Sequence, residues 1–479
     1  MSTIAHNPTD WTLTGLQEVP SLKTVGFTIT SNDEEQLAVV SAHLDVLYTR
    51  ASDVLASSIL TSQAKRLLAL QVISQWNVFL LPLITTGSMQ LTNLLDSFDV
   101  KMSKLFLTMQ GIIDERSDTF TQLNLPIRLG GLGLGFFSVL KRSTHRVTAL
   151  YRVLKLHIPD DIIADISALL YTACNDLATQ IKLKSTTTHV RISHLQTTTE
   201  ISSELADLNT SKSLMEYALC FVHAAFISGL SPEGKDRIQS LVLPSSATIL
   251  STRPIDRYTT LSNIEIQADT CLRLNILFDI RLLNTPCHLC NRHVTYTLDN
   301  GSHGTSCTGQ NNHGNAFKRH ERIVHVIKEL ASSIYVRNEN APLFTNRTDQ
   351  TKLDIYFRDQ GIAVDVMVSS AIGQSPAKQL KKAEQMKITK HKDTGRRNRI
   401  KIVPCVISVL GGLGIWFRRF IQRLVTLCPR HVNRNEFRTQ ARQYIAVALA
   451  KGNAVCLQFA LESRTLTTYL HAPTMRRVI

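Results

Sequence analysis

Two thiolates at one end of a short segment, and an imidazole with a thiolate at the other, constrain this chain more than any other feature of it. Cys287-His-Leu-Cys290 is followed after twelve residues by His303-Gly-Thr-Ser-Cys307. Four such groups at that spacing can close a tetrahedral Zn²⁺ shell, the usual chemistry of a structural site. Gly301, Gly304 and Gly309 let the backbone turn tightly around an ion. His313 can replace either member of the second pair. The competing reading is a chance cluster of buried thiols, because free cysteine is among the commonest core residues.

Directly after the cluster, the spacing of apolar residues predicts a helix over Phe317 to Leu330, with Lys318, Arg319, His320 and Arg322 on its polar face. Two short apolar segments then follow, Lys352 to Phe357 and Ile362 to Val368, joined by Arg-Asp-Gln-Gly, which reads as a hairpin. Each carries one carboxylate among apolar neighbours, Asp354 and Asp365. An acidic residue in a buried strand is costly unless it is paired or binds a metal, so the two are candidates to share a divalent cation. A basic helix from Ala377 to about Lys392 and an apolar strand from Ile400 to Leu410 complete the series.

Helix, hairpin, helix, strand with carboxylates on the hairpin resembles the core plan of PD-(D/E)xK nucleases. The lysine expected two residues after the second acid is replaced by Met367, and the next helix offers Glu384, Lys387 and Lys390 instead. The stretch resembles more closely the C-terminal end of non-LTR retrotransposon polyproteins of the restriction-like-endonuclease type. There a CCHC finger precedes an Arg-His helix, a Pro-Asp strand, an Asp-Val strand and a helix-borne lysine. The matching residues are Cys287, Cys290, His303 and Cys307, then Arg319-His320, Leu353-Asp354-Ile355, Val364-Asp365-Val366 and Lys387 to Lys390, with Leu353 where that family has proline. Upstream, Leu125-Pro-Ile-Arg-Leu-Gly-Gly-Leu-Gly-Leu134 is similar to a segment following the thumb of the same elements' reverse transcriptases, and Leu22 to Ile29 is similar to the segment entering it. The glycine run read alone is equally a loop before a helix, or a weak phosphate-loop match.

The resemblance implies an α+β multidomain chain: a mostly α-helical thumb-like region over 1–130, a helical linker over 131–283, a zinc finger over 284–315, a restriction-endonuclease-like α/β domain over 316–430 and a C-terminal helical extension over 431–479. It implies Mg²⁺- or Mn²⁺-dependent DNA nicking, with Asp354 and Asp365 on the metal, Lys387 on the scissile phosphate and Lys390 or Glu384 as substitutes. Arg319, His320, Lys381, Lys382, Arg396, Arg397 and Arg399 are the candidates for contacting nucleic acid. Structural Zn²⁺ and the catalytic divalent ion are the implied cofactors, with DNA, and secondarily the element's own RNA, as partners. No aromatic-x-Asp-Asp pair is present, and Asp160-Asp161 reads as a helix start. The polymerase site is therefore expected to be missing, as in a truncated frame. The alternative is a non-enzymatic, zinc-dependent nucleic-acid-binding remnant, favoured by Leu353 and Met367; a purely structural helical protein is a third reading.

Charge agrees with an anionic partner. The net charge is +15, yet residues 1–120 hold 12 acidic against 7 basic residues, so the excess lies downstream. Lys378 to Lys401 is the densest stretch, with ten basic residues and two acidic ones, beside the proposed strands where a phosphate backbone would run. A solvated lysine-rich helix face is the bland alternative. No uninterrupted apolar run approaches the ~18 residues of a bilayer span, and no secretion signal is recognisable at the N-terminus. Nine cysteines, an odd number without a small-domain framework, fit a reducing compartment, so an intracellular, nuclear or cytoplasmic protein is expected.

Overall fold

The computed structural model describes residues 21–24, 27–30, 33–71, 73, 88–156, 160–185, 190, 198–208, 210–287, 289, 294–297, 303–307, 313–340, 344–346, 349–351, 353–370 and 375–470. Cys290, Gly301 and Gly309 lie outside these residues. Two strands, β1 (Ser21–Thr24) and β2 (Phe27–Thr30), pair as an antiparallel hairpin. Helices follow in series: α1 (Asp33–Ala56), α2 (Ser62–Gln71), α3 (Met89–Met109), α4 (Ser117–Asn124), α5 (Ser138–Leu154), α6 (Asp160–Ser185), α7 (Thr198–Leu205), α8 (Ser211–Gly229), α9 (Pro232–Leu241), α10 (Thr248–Ser251) and α11 (Asn263–Leu274).

Their limits follow local chemistry. Ser231 accepts the Gly234 N–H and Pro232 opens α9, while Ser262 and Glu265 close a reciprocal capping box on α11. The apolar periodicity through Leu283 predicts one helix, but α11 stops at Leu274 because Asn275 adopts a left-handed conformation, φ 55°, and returns its N–H to Cys271. Asparagine tolerates that geometry better than most residues, and helices commonly end on it.

The glycine run is a packing device. All six N–H groups from Gly130 to Gly135 donate to carbonyls of residues 122–127, folding the loop back along the end of α4. A Cβ on Gly131 would lie 1.9 Å from the Leu125 carbonyl oxygen, so only glycine fits. With its amides already used, the loop has none to offer a phosphate, and the phosphate-loop alternative falls.

Asp99 of α3 fastens the same region, its two oxygens accepting the Ser138 N–H (2.7 Å) and hydroxyl (2.5 Å) at the start of α5. Burial raises its pKa to about 7 against these opposing hydrogen bonds. Because the folded value exceeds the unfolded one, the stabilisation is complete below pH ~4 and is lost as pH climbs to about 7. Asp99→Asn is expected to flatten this part of the profile, by about 2–4 kcal/mol between pH 4 and 8 in denaturant titrations; parallel profiles for the two proteins would assign the titration elsewhere.

The second half of the chain contains α12 (His303–Ser306), α13 (His313–Ser333), β3 (Glu339–Asn340), β4 (Phe344–Asn346), β5 (Asp349–Thr351), β6 (Ile355–Phe357), β7 (Ile362–Ser369), α14 (Pro376–Lys390), α15 (Lys392–Asn398), β8 (Lys401–Ser408), α16 (Ile415–Leu427) and α17 (Arg434–Leu470). β3, β6, β7 and β8 form one mixed sheet in that order, and β4 pairs with β5. β7 runs parallel to β8 from Ile362 opposite Lys401 to Ser369 opposite Ser408, with α14 and α15 as the crossover. The chain is thus mostly helical with a small mixed sheet, an α+β composition.

Alternation along the strands sorts the two faces. Val364, Val366, Cys405 and Ile407 pack with α13, α16 and α17, whereas Val406 and Met367 meet Leu380 and Ala383 of α14. Asp365, between Ala363 and Met367, belongs to the α14 side. Pro404 is tolerated within β8 because that strand is the sheet's edge.

Packing runs through the expected boundary at 430/431. Phe437, Ala441, Ile445 and Leu449 of α17 share the core of Ile323, Val364 and Phe417, and Ala454 and Leu457 join the core built by α5, α6 and α8. The stretch Arg434–Glu462 is long and apolar enough to cross a membrane, but 72 % of its most apolar window is buried inside the fold.

Candidate functional site

Cys287, His303 and Cys307 come together, their ligand atoms all within 4.8 Å of one another. The thiols of Cys287 and Cys307 are 3.9 Å apart. Two sulfurs each ~2.3 Å from a tetrahedral ion are separated by roughly 3.8 Å, so the spacing fits a shared metal. His303 opens α12 and reaches the same place as Cys307 one turn later; burial lowers its pKa, favouring the neutral, ligating imidazole. Tyr296 donates its hydroxyl to the Cys287 sulfur at 3.6 Å and packs edge-on against His303. This group can hold a metal ion. Cys290, the expected fourth ligand, lies outside the described residues.

Arg319 was expected on the polar face of α13 with His320, available to phosphate. It is buried instead, donating to the Thr305 carbonyl at 2.9 Å and the Asn453 side chain at 3.0 Å. Its stem crosses α17 so closely that a Cβ on Gly452 would lie 2.4 Å from it. The guanidinium bolts α12, α13 and α17 together, and burial lowers its pKa. It cannot also contact nucleic acid, which corrects that expectation.

The sheet site is built around Asp365. Lys387 Nζ lies 2.7 Å from one carboxylate oxygen and His391 Nε2 2.7 Å from the other. Burial would raise the carboxyl, but the hydrogen bond from His391 and the charge and hydrogen bond of Lys387 hold it below its ordinary value. His391, fully buried, is the residue that sequence reasoning missed. Its signal was available: Glu384, Lys387 and His391 recur at spacings of three and four, which places them on one face of α14 and its cap.

Asp354 meets a different set. Its backbone N–H donates to the Val364 carbonyl, and its side-chain oxygen accepts the Val366 N–H at 2.6 Å, so the carboxylate extends the ladder just before β6 begins. His320 Nε2 approaches the same oxygen at 3.1 Å, and although burial opposes it, this contact raises the imidazole pKa. Among the described residues, Asp354 and Asp365 do not gather with a third His, Cys, Asp or Glu within metal-ligand range. Both nevertheless act on one buried group: after burial itself, the charges of Asp365, Asp354 and Glu384 push the Cys405 thiol well above its usual range.

Glu384 is placed as a helix cap, accepting the Trp416 N–H at 2.8 Å at the start of α16, with burial raising its pKa. Its carboxylate is committed there rather than at Lys387. Lys381, Lys382, Lys390, Arg396, Arg397 and Arg399 are all exposed. Lys390 accordingly faces solvent while Lys387 turns inward. No family model matches this chain, and no curated protein matches it.

Proposed function

We propose that this is a retrotransposon-derived nucleic-acid-binding protein, with a structural zinc on Cys287, Cys290, His303 and Cys307 and a metal-dependent DNA-nicking site in the α/β unit that follows. The observation that carries the reading is Lys387, which reaches from a strongly basic helix to within 2.7 Å of Asp365 on the neighbouring strand. A buried carboxylate with a cation seated against it favours positive charge at that spot, and Asp354 adds a second hard oxygen donor one strand away. Mg²⁺ or Mn²⁺, when bound, would activate water and screen the developing phosphate charge. Lys387 would move from the carboxylate to the phosphate, while His391 keeps Asp365 oriented from its buried side. The exposed cations of α14 and α15 supply the surface for the phosphate backbone.

Zinc is supported by charge as well as spacing. Among the described residues no carboxylate pairs with buried Arg319, which donates to the carbonyl of Thr305 between two ligands. Three thiolates around a dication would leave one negative charge, which a cation held by the backbone between two of the ligands would offset.

A second reading, a zinc-dependent remnant with a decayed nuclease, is favoured by one observation. Both oxygens of Asp365 are already engaged by Lys387 and His391, and one of Asp354 by Val366 and His320. Plasmid nicking separates the two. With Mg²⁺ or Mn²⁺ the protein is expected to nick, Lys387→Ala to lower the rate by about 10²-fold or more, and duplex affinity to stay within about two-fold because exposed cations dominate it. Salt-dependent binding without nicking by the unaltered protein selects the remnant. Binding that is absent or indifferent to salt removes both.

A further inference from the structure

A groove of about 440 Å³ lies between α14 and the start of α16; it shares Lys381 with the basic surface, while its Trp416 has no part in the nicking chemistry. Buried Leu380 and Leu413 line it together with exposed Lys381 and Arg418. Half-buried Trp416 lines it. The Arg419 guanidinium and the Lys401 ammonium stand 5.4 and 5.9 Å from the centre of the indole ring. Large apolar side chains remain exposed nearby, Ile415 at 43 % and Met386 at 51 %. The neighbouring outer face of α14 presents Lys378, Lys381, Lys382 and Lys390 along a second shallow groove.

An occupant must match both features. The cations select a polyanion, and the one carboxylate lining the groove, Glu384, accepts the Trp416 N–H and offsets only part of the charge of Arg418 and Arg419. The indole and the buried leucines select a flat apolar face. Duplex DNA offers the charge but hides its base faces in the stack, and an acidic peptide offers a flat face only where an aromatic residue happens to stand among its carboxylates. Single-stranded DNA carries both, and aromatic side chains beside a basic track are how such strands are held.

We propose that this groove takes an unpaired base of single-stranded DNA, stacked on Trp416 in place of the Arg419 and Lys401 side chains that lie over its ring, with those two cations turning to the flanking phosphates beside Arg418 and Lys381. The inference rests on the nucleic-acid reading above and narrows its substrate to a strand that is open beside the α14 site. Glu384 is then a positioning residue: by holding the Trp416 N–H it fixes where the platform stands.

Oligothymidylate and a duplex of equal length, titrated against the full chain, test the assignment. The chain's tryptophans are Trp11, Trp76 and Trp416, so the quenching due to the platform is the part that Trp416→Phe removes. Trp416→Ala is expected to weaken oligothymidylate binding about five- to a hundred-fold and to leave duplex affinity within about two-fold. Trp416→Phe, which keeps an aromatic face, should recover most of the loss and guards against misfolding as the cause. Equal loss for both DNAs without recovery by phenylalanine, or no loss for either, overturns the platform. Replacing Lys378, Lys381 and Lys382 with alanine should weaken both DNAs. If that triple change matters and Trp416 does not, only this inference falls; if neither DNA binds, or neither responds to the triple change, the nucleic-acid reading falls with it.

Discussion

Cys307→Ser, like Cys287→Ser, is expected to release about one equivalent of zinc and to open the segment between Leu277 and α13. The reason is the size of the surrounding core. Among the described residues its buried members are Leu277, Leu282, Cys287, Leu289, Tyr296, Cys307 and Ala460, with four partly buried side chains against them, a small core for so much irregular backbone. A structural zinc contributes about 10–16 kcal/mol in isolated fingers, comparable to the roughly 5–15 kcal/mol by which an entire domain is stable. Loss of the ion should therefore appear as new protease cleavage within 284–312, and a chelator should reproduce it in the unaltered protein. Arg319 transmits the effect, because its Thr305 partner lies on α12 and its other contacts are on α17. Metal content unchanged in both variants would remove the cluster from this account.

Asp365→Ala should destabilise the sheet unit by about 3–5 kcal/mol, the usual cost of leaving a buried charged group without its partner. Two groups are stranded together, the fully buried His391 and the inward-facing Lys387. Asp365→Asn keeps the volume and one acceptor, so a smaller loss of about 1–3 kcal/mol is expected. A double variant, Asp365→Ala with His391→Leu, should recover part of the loss, since an apolar replacement removes the unpaired imidazole as well. The pH dependence has a definite sign. Because the folded pKa lies below the unfolded value of 3.8, the contribution is present above that value and lost as pH falls through the lower, folded one. Equal stability of Asp365→Ala and the unaltered protein in denaturant titration would mean that His391 and Lys387 find other partners.

How much of this was legible depended on the distance over which the deciding interaction acts. Local signals were readable: the strand alternation that set Asp365 among apolar neighbours, the Asp160 helix start, and the hairpin turn, observed as a short 3-10 segment closed by left-handed Gly361. Where the signal was local but misread, a single residue was responsible, as with Asn275 ending α11 inside an unbroken apolar pattern. Arg319 shows the other limit. Beside His320 on a polar helix face it is indistinguishable from a phosphate contact, and only the arrival of Gly452 and Asn453, more than a hundred residues later, buries it.

The sequence by itself determined which groups are able to do chemistry and on what kind of element each stands. Thiol and imidazole spacing, carboxylates in strands, and lysines at helical intervals are set by covalent neighbours and by the two backbone periods. Only the tertiary structure decided which of those groups meet. Lys387 and His391 are both within one helical stretch, yet their shared partner Asp365 comes from a strand 22 and 26 residues earlier, and β7 must lie beside β8 before α14 can present them. Asp354 and Asp365 looked alike as single acids in adjacent strands, but one is met by the Val366 N–H and His320 and the other by Lys387 and His391. That separation arises because burial forces each carboxylate to take whatever donor the packing brings, and packing is fixed by contacts that no local segment contains.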